Sequence, residues 1–425
     1  MAGGDGVDPL SRTDAEAADA VDPLAGFRAR FTHLAAPGGT GVHDDPDLIY
    51  LDGNSLGRLP VATRDRLAAL TTEWGERLVS GWPDWIDAPL RAGDVIAEVV
   101  GADRGEVVVC DSTTVNLFKL AGAVLDARGP GALVTDRANF PTDRYVLEGI
   151  AAQRGLDLRL FDGEPDAATL QCDRGDVVVL SHVGYRSGAL ADLPALQAAA
   201  DARGATLIWD LSHSAGAVPV DLGAAGAELA VGCTYKYLNA GPGAPAYLYV
   251  ATELQDRLRS PIWGWFGQRE QFAMERPYDP EPSIRRFLAG TPPILGLAAV
   301  EEGARLTAEA GVAALHAKAT SLCERLVALH DAWLEPLGFA LDSPRDPARR
   351  GSHVSLRHAD AWPITRALIE RAGVIPDFRG PDSVRFGIAP LYTRHADVWD
   401  AMDRLRGLVT RGEHAAFDAA PGRVT

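Results

Sequence analysis

The sequence is poor in cysteine, with four in 425 residues, at positions 110, 172, 233 and 323. None falls in a Cys-x-x-Cys or Cys/His ligand spacing, which excludes a disulfide framework and a structural zinc site. Cys110 and Cys233 lie in apolar runs and read as buried thiols. Positive charge is also short: 41 Lys and Arg stand against 58 Asp and Glu, a net charge of −17. A chain without basic excess cannot neutralise the phosphates of a nucleic acid, so no such partner is expected, whereas a small molecule held by a few local cations is compatible. No apolar run reaches about 18 residues, and the N-terminus has neither a basic start nor a signal-length apolar stretch. No membrane contact is expected, and the expected location is the cytoplasm. No internal repeat of fixed period occurs.

What is present, 47% hydrophobic and 23% charged residues, is an ordinary globular composition long enough for two or three domains. Residues 1–20 are acidic, rich in Gly and Ala and without periodicity, and read as a disordered tail. Next come an N-terminal segment over 21–60, with a helix at 22–31 and a Pro/Gly-rich loop, and a large domain over 61–300. In the large domain, strands expected at 106–110, 132–136, 158–161, 176–181, 206–210, 229–232 and 246–250 are interleaved with amphipathic helices. That alternation specifies an α/β fold with a mostly parallel sheet flanked by helices. One long helical stretch over 294–329 supplies a connecting helix at 301–333, and a small α+β domain follows over 334–415.

The chain is organised around residues 206–243. A short apolar run ends in Asp210, and a second delivers Lys236 into a Gly/Pro-rich turn. Buried parallel strands end at the crevice where open α/β sheets bind ligands, so one carboxylate and one amine can share a pocket. That pair suits pyridoxal phosphate (PLP), which needs an amine for a Schiff base and an anion to keep its pyridine nitrogen protonated. Taken singly, the acid also reads as a loop cap and the lysine as a solvated side chain. Upstream, Asp111-Ser112-Thr113-Thr114 opens a helix, a pattern that serves capping and phosphate binding equally. Phe140 stands at another strand-helix junction, as a core residue or as a ring that stacks on a planar ligand. Ser55 lies in a polar turn, and Trp82 and Trp85 lie in a Pro-containing loop, as core plugs or a ring-binding surface. The irregular stretch 260–293 carries Trp263, Trp265, Phe266, Arg285 and Arg286 and reads as a binding loop or a partner contact.

In this order the motifs YLDGNSLG (50–57), TTVNLF (113–118), NFPTD (139–143), WDLSHSAG (209–216), TYKYLNAGPG (234–243), GWFG (264–267), TPPIL (291–295) and VRFGIAPLY (384–392) resemble those of fold type I PLP enzymes of the class V aminotransferase superfamily. More narrowly, they are similar to the kynureninases. The resemblance implies hydrolytic Cβ–Cγ cleavage of L-kynurenine, or its 3-hydroxy form, to anthranilate or 3-hydroxyanthranilate and L-alanine, in tryptophan catabolism. It implies that Lys236 carries the cofactor and moves protons, that Tyr235 assists, and that Asp210 holds the pyridinium with His213 nearby. Thr113, Thr114 and Tyr235 would hold the phosphate. Phe140 would stack on the ring, with Pro141, Thr142, Asp143 and Ser181 completing the shell. Trp265 and Thr291 would come from the second subunit of a homodimer. Arg385 would bind the substrate α-carboxylate, a task suited to a planar fork of donors, with Ser55 and Trp82 beside the substrate ring. Thr291 and Trp82 stand where some members carry other residues, which leaves the preference between the two substrates open. No metal is expected. The rival within the superfamily is a cysteine desulfurase or another class V aminotransferase-like enzyme, and the desulfurase would carry a nucleophilic cysteine in a mobile Gly/Ser-rich loop. A non-catalytic binding protein on the same scaffold would most simply lack the lysine or the aspartate, and both are present.

Overall fold

The structure, a computed structural model, describes residues 8–32, 48–129, 131–274 and 277–418. It comprises two compact units: one made of residues 62–185 and 190–312, the other of the stretch up to 61 with 186–189 and 313 onward.

The first unit is built on a seven-stranded sheet in the order Val107–Val109, Tyr247–Val250, Leu229–Gly232, Thr206–Asp210, Val177–Ser181, Leu133–Asp136, Leu158–Phe161. Five neighbouring strands run parallel, and Tyr247–Val250 runs antiparallel to both of its neighbours. Alternation along each strand sends side chains to two cores. Val178, Leu180, Leu207, Trp209 and Ala230 pack with the helices Ala88–Val100, Leu193–Arg203 and Ile294–Ala310. Val177, Val179, Ile208, Leu229 and Val231 pack with the helices Thr113–Arg128 and Pro141–Arg154. Burial on both faces is why these strands read as continuous apolar runs.

The second unit contains a four-stranded antiparallel sheet ordered Asp377–Arg379, Ser383–Gly387, His353–Arg357, Ala340–Leu341. A parallel pair, Ile49–Tyr50 with Val374–Ile375, ties the N-terminal segment to it. The helices Val312–Leu329, Ala361–Arg371 and His395–Thr410 complete a core around Leu322, Leu326, Trp362, Phe386 and Met402.

Three expectations need correction. The tail expected to be disordered over 1–20 contains the helix Arg12–Ala20, while residues 1–7 lie outside the described residues. Ser11 caps that helix by accepting from Asp14 N, Arg12 pairs with Asp400 at 2.7 Å, and Asp19 accepts from the backbone N–H groups of His395 and Ala396 at 2.6 and 3.0 Å. Asp19 thus satisfies orphan donors at the start of the last long helix. The helix expected at 22–31 is a 3₁₀ segment, Ala25–Arg30, and the Pro/Gly-rich loop that follows lies largely outside the described residues. The single helix expected over 294–329 is two helices, because Gly311 adopts φ +78, a conformation that ends the ladder. The first belongs to the sheet unit and the second to the other.

Candidate active site

In the sheet unit, strand register brings the polar groups together. Ser181 and Asp210 are direct partners at the ends of adjacent parallel strands, and Asp210 is paired on its other side with Val231, one strand before the lysine turn. The turn is closed by its own backbone: Asn239 N donates to Lys236 O at 3.0 Å, Ala240 N to Thr234 O at 3.1 Å, and Thr234 Oγ1 to Pro245 O at 2.7 Å. Asn239 takes φ +54, which its side chain supports by donating to Tyr237 O at 2.9 Å. Gly303 packs against this turn so tightly that a Cβ there would strike Leu238 O and come within 3.1 Å of the Asn239 carbonyl carbon.

A cavity of about 550 Å³ opens at these strand ends, within the range of small-molecule sites. It is lined by Thr113, Thr114, Phe140, Thr142, Asp143, Ser181, Asp210, His213, Tyr235 and Lys236, all expected site residues. Pro141 is not among the lining residues and instead starts the helix Pro141–Arg154. The Lys236 ammonium stands 5.8 Å from the centroid of the Phe140 ring and 5.9 Å from that of Tyr235. Phe140 is edged by Tyr185 at 5.3 Å and 83°. Asn139 fixes the junction, accepting from Phe140 N and Ser181 Oγ, both at 2.7 Å, and donating to Thr135 Oγ1 at 2.9 Å.

Two acids share the floor of the cavity. Burial pushes the Asp143 carboxyl well above the usual carboxylate range, and the facing Asp210 pushes it further. One Asp143 oxygen is buried with no hydrogen-bond partner among the described residues. Asp210 accepts from Ser212 N at 2.8 Å. Opposite, the helix Thr113–Arg128 starts with Ser112 as its cap, accepting from Val115 N at 3.3 Å. The first-turn N–H groups and Thr hydroxyls suit an anion. An anion cradle at one end, an under-satisfied acid pair at another, an amine and an aromatic face fit PLP, whose phosphate, ring nitrogen, aldehyde and ring match them in turn.

In the other unit, Arg385 is 1% exposed. Its Nη2 donates to Ser55 Oγ at 3.0 Å and to Asp377. With the Asn54 amide assigned from its hydrogen bonds, Arg385 Nε donates to the Asn54 oxygen at 2.8 Å, and the Asn54 nitrogen donates to Asp52 at 3.2 Å. Arg379 also reaches Asp377, at 3.0 Å. Burial, then the charge of Asp377, raises the Asp52 carboxyl to about 7. Ser55 and Arg385, expected on the substrate side, therefore sit in one network.

Trp82 and Thr291 are brought together elsewhere, in an apolar cavity of about 380 Å³ with Leu70, Trp74, Trp85 and Leu295. Trp85 is a core plug, 8% exposed, in a short helix Trp82–Trp85 rather than a loop. Trp265 lines neither cavity and packs on Phe266 and Phe272 at 4.4 and 6.0 Å. The sequence reading missed Tyr185 and Ser212 as lining residues. Their position just past the strands ending at Ser181 and Asp210 was the available signal.

Residues 315–405 match a family model described as the kynureninase C-terminal domain. A kynureninase from Pseudomonas fluorescens is 44% identical over 411 residues, covering 94% of this chain and 96% of its own. One from Burkholderia pseudomallei is 42% identical over 409 residues, covering 94% and 95%. Among solved structures, the cysteine desulfurase of Thermococcus onnurineus NA1 superposes with a TM-score of 0.72 at 20% identity, over 86% of this chain and 96% of that one. C-DES, solved with glycine covalently linked to its PLP cofactor, gives 0.73 at 17% identity over 92% and 99%. The structural likenesses fix the fold, and the relatives over nearly the whole chain fix the membership: the chain belongs to the kynureninase family, PLP-dependent hydrolases of a carbon–carbon bond on the fold type I scaffold.

Proposed function

We propose that this protein hydrolyses the Cβ–Cγ bond of L-kynurenine, or of 3-hydroxy-L-kynurenine, consuming one water and releasing anthranilate or 3-hydroxyanthranilate and L-alanine. The observation that carries this reading is the cavity in which Lys236, Phe140 and the Asp143–Asp210 pair converge, on a chain 44% identical to a kynureninase. When bound, PLP supplies an electron sink for negative charge developing on carbon. The protein residues hold and move protons. Asp210, with Asp143 and His213 beside it, keeps the ring nitrogen charged. Thr113, Thr114 and Tyr235 take the phosphate, Phe140 covers the ring, and Pro141, Thr142 and Ser181 shape the shell. Lys236 holds the cofactor and serves with Tyr235 as general acid and base at the reacting carbons. Arg385 receives the α-carboxylate, and Ser55 orients it.

The apolar cavity holding Trp82 and Thr291, with Trp74 57% exposed at its edge, supports a homodimer in which Trp265 and Thr291 of one copy serve the site of the other. Trp82 borders the substrate ring. No helix among the described residues is long and apolar enough to cross a membrane, and we place the reaction in tryptophan breakdown in the cytoplasm. Desulfurase chemistry is not favoured: all four cysteines are buried, and burial pushes Cys110 and Cys323 up to about 12. The test is incubation of cofactor-loaded protein with each substrate, following the aromatic acid and alanine together. Cleavage of either ranks the two; a PLP-bearing protein that cleaves neither overturns the reading.

A further inference from the structure

The helix Thr113–Arg128 carries a lysine where its sequence is otherwise apolar, FKLAGAVL, and the fold buries it completely: the Lys119 side chain is 0% exposed. Lysine is almost never fully buried unless paired, because removing an ammonium from water costs several kcal/mol. Lys119 Nζ is paired with the Asp111 carboxylate and donates to Phe287 O at 2.6 Å, with Cys110 Sγ at 4.0 Å.

Asp111 is itself unusual. It takes φ +48, the left-handed region, at the point where the strand Val107–Val109 passes into the helix. It immediately precedes Ser112, Thr113 and Thr114, lines the same cavity, and keeps its side chain 34% exposed. Among the described residues lining that cavity are three carboxylates, Asp111, Asp143 and Asp210, against one lysine, Lys236. A phosphate monoester brings about −1.5 to −2 more. Asp143 and Asp210 face the ring nitrogen in the proposed arrangement, whereas Asp111 adjoins the phosphate and would repel it.

We propose that Lys119 is a positioning residue for the cofactor phosphate. By pairing with Asp111 from behind the helix start, it cancels the one carboxylate next to the phosphate cradle. The inference rests on the proposed placement of the phosphate at Thr113 and Thr114.

The experiment uses four full-length PLP-loaded proteins, wild type, Lys119→Met, Asp111→Asn and the double variant, with Thr113→Ala as reference. Each is dialysed against cofactor-free buffer, and PLP release is timed by absorbance beside a thermal unfolding midpoint. Lys119→Met should release PLP at least about tenfold faster, and the double variant should return to within about twofold of wild type although its unfolding midpoint stays low. Asp111→Asn alone, which removes the carboxylate that Lys119 is there to cancel, should release PLP no faster than wild type, a readout that survives if Lys119→Met does not fold. Retention by Lys119→Met equal to wild type, or a double variant as leaky as Lys119→Met, or faster release from Asp111→Asn, overturns the proposal. If Thr113→Ala also holds PLP like wild type, the phosphate placement falls with it; a leaky Thr113→Ala beside an intact Lys119→Met rejects the role of Lys119 alone.

Discussion

Arg385→Lys separates charge from geometry in the proposed substrate clamp. The guanidinium is gripped at three points: Asn54 at Nε, 2.8 Å, and Ser55 at Nη2, 3.0 Å, together with Asp377, whose side chain is 2% exposed. Lysine keeps a positive charge for Asp377, so the buried pair is not broken outright. Its single nitrogen cannot reproduce the fork, and one charge-assisted hydrogen bond to the substrate carboxylate is lost with the planar alignment. A hydrogen bond to a charged group contributes roughly 1.5–3 kcal/mol, which converts to a loss of about 10- to 150-fold in kcat/KM. Because the α-carboxylate is held alike before and during bond cleavage, the loss should fall on KM, with kcat changed by less than about threefold. Initial rates of aromatic-acid release across a substrate series, with thermal unfolding to verify the fold, read this out. A KM within about twofold of wild type would place the carboxylate elsewhere. A fall in kcat at constant KM would show that Arg385 acts on the transition state instead.

Lys236→Ala should leave the fold intact, because the turn is closed by backbone bonds and by Asn239 rather than by the lysine side chain. Turnover should fall by roughly 10³ or more, and borohydride should no longer fix PLP covalently to the protein. Near-normal turnover would sink the assignment. Asp52 stands at about 7 in the folded protein against the ordinary 3.8, so its protonated form favours folding. That stability is complete below about pH 4 and is lost as pH rises through about 7, a difference of at most roughly 4 kcal/mol. Asp52→Asn cannot ionise, so its unfolding midpoint relative to wild type should climb between about pH 4 and pH 7 and level off above; parallel curves for the two proteins would refute the charge argument.

Much of the sheet unit was legible because its strands are buried on both faces, and apolar runs punctuated by helices leave few alternatives. The cofactor cavity was legible for the same reason: Ser181, Asp210 and the lysine turn follow strand ends, and parallel register places them side by side. What escaped depends on partners far away in sequence. The helix Arg12–Ala20 looks like a polar tail until Asp400 and the His395 backbone supply its contacts. Lys119 carries no signal of its own in the sequence, and only the strand-end turn that puts Asp111 against it reveals its role as a buried partner. Trp82 and Thr291 lie far apart in the chain but share one apolar cavity, a juxtaposition no local pattern encodes.

The distribution of unsatisfied charge separates scaffold from site. Where charges are buried for structure, they are matched: Lys318 with Asp22 at 2.7 Å in one unit, and Asp176 in the other with Arg159 and the backbone of Ala132 and Asp173. In the cavity the rule is broken, with Asp143 pressed against Asp210 and one of its oxygens left unpartnered among the described residues. A buried acid pair offset by Lys236 alone is unfavourable in the isolated fold, and a proton-bearing group arriving beside the carboxylates would relieve it. Local rules that a sequence obeys elsewhere tend to fail at functional sites. Here the failure has the sign and the place that a pyridine nitrogen requires, because it lies at strand ends within the same cavity as Lys236. The strain that the fold tolerates at Asp143 and Asp210 is thus what the proposed placement of the ring nitrogen would relieve.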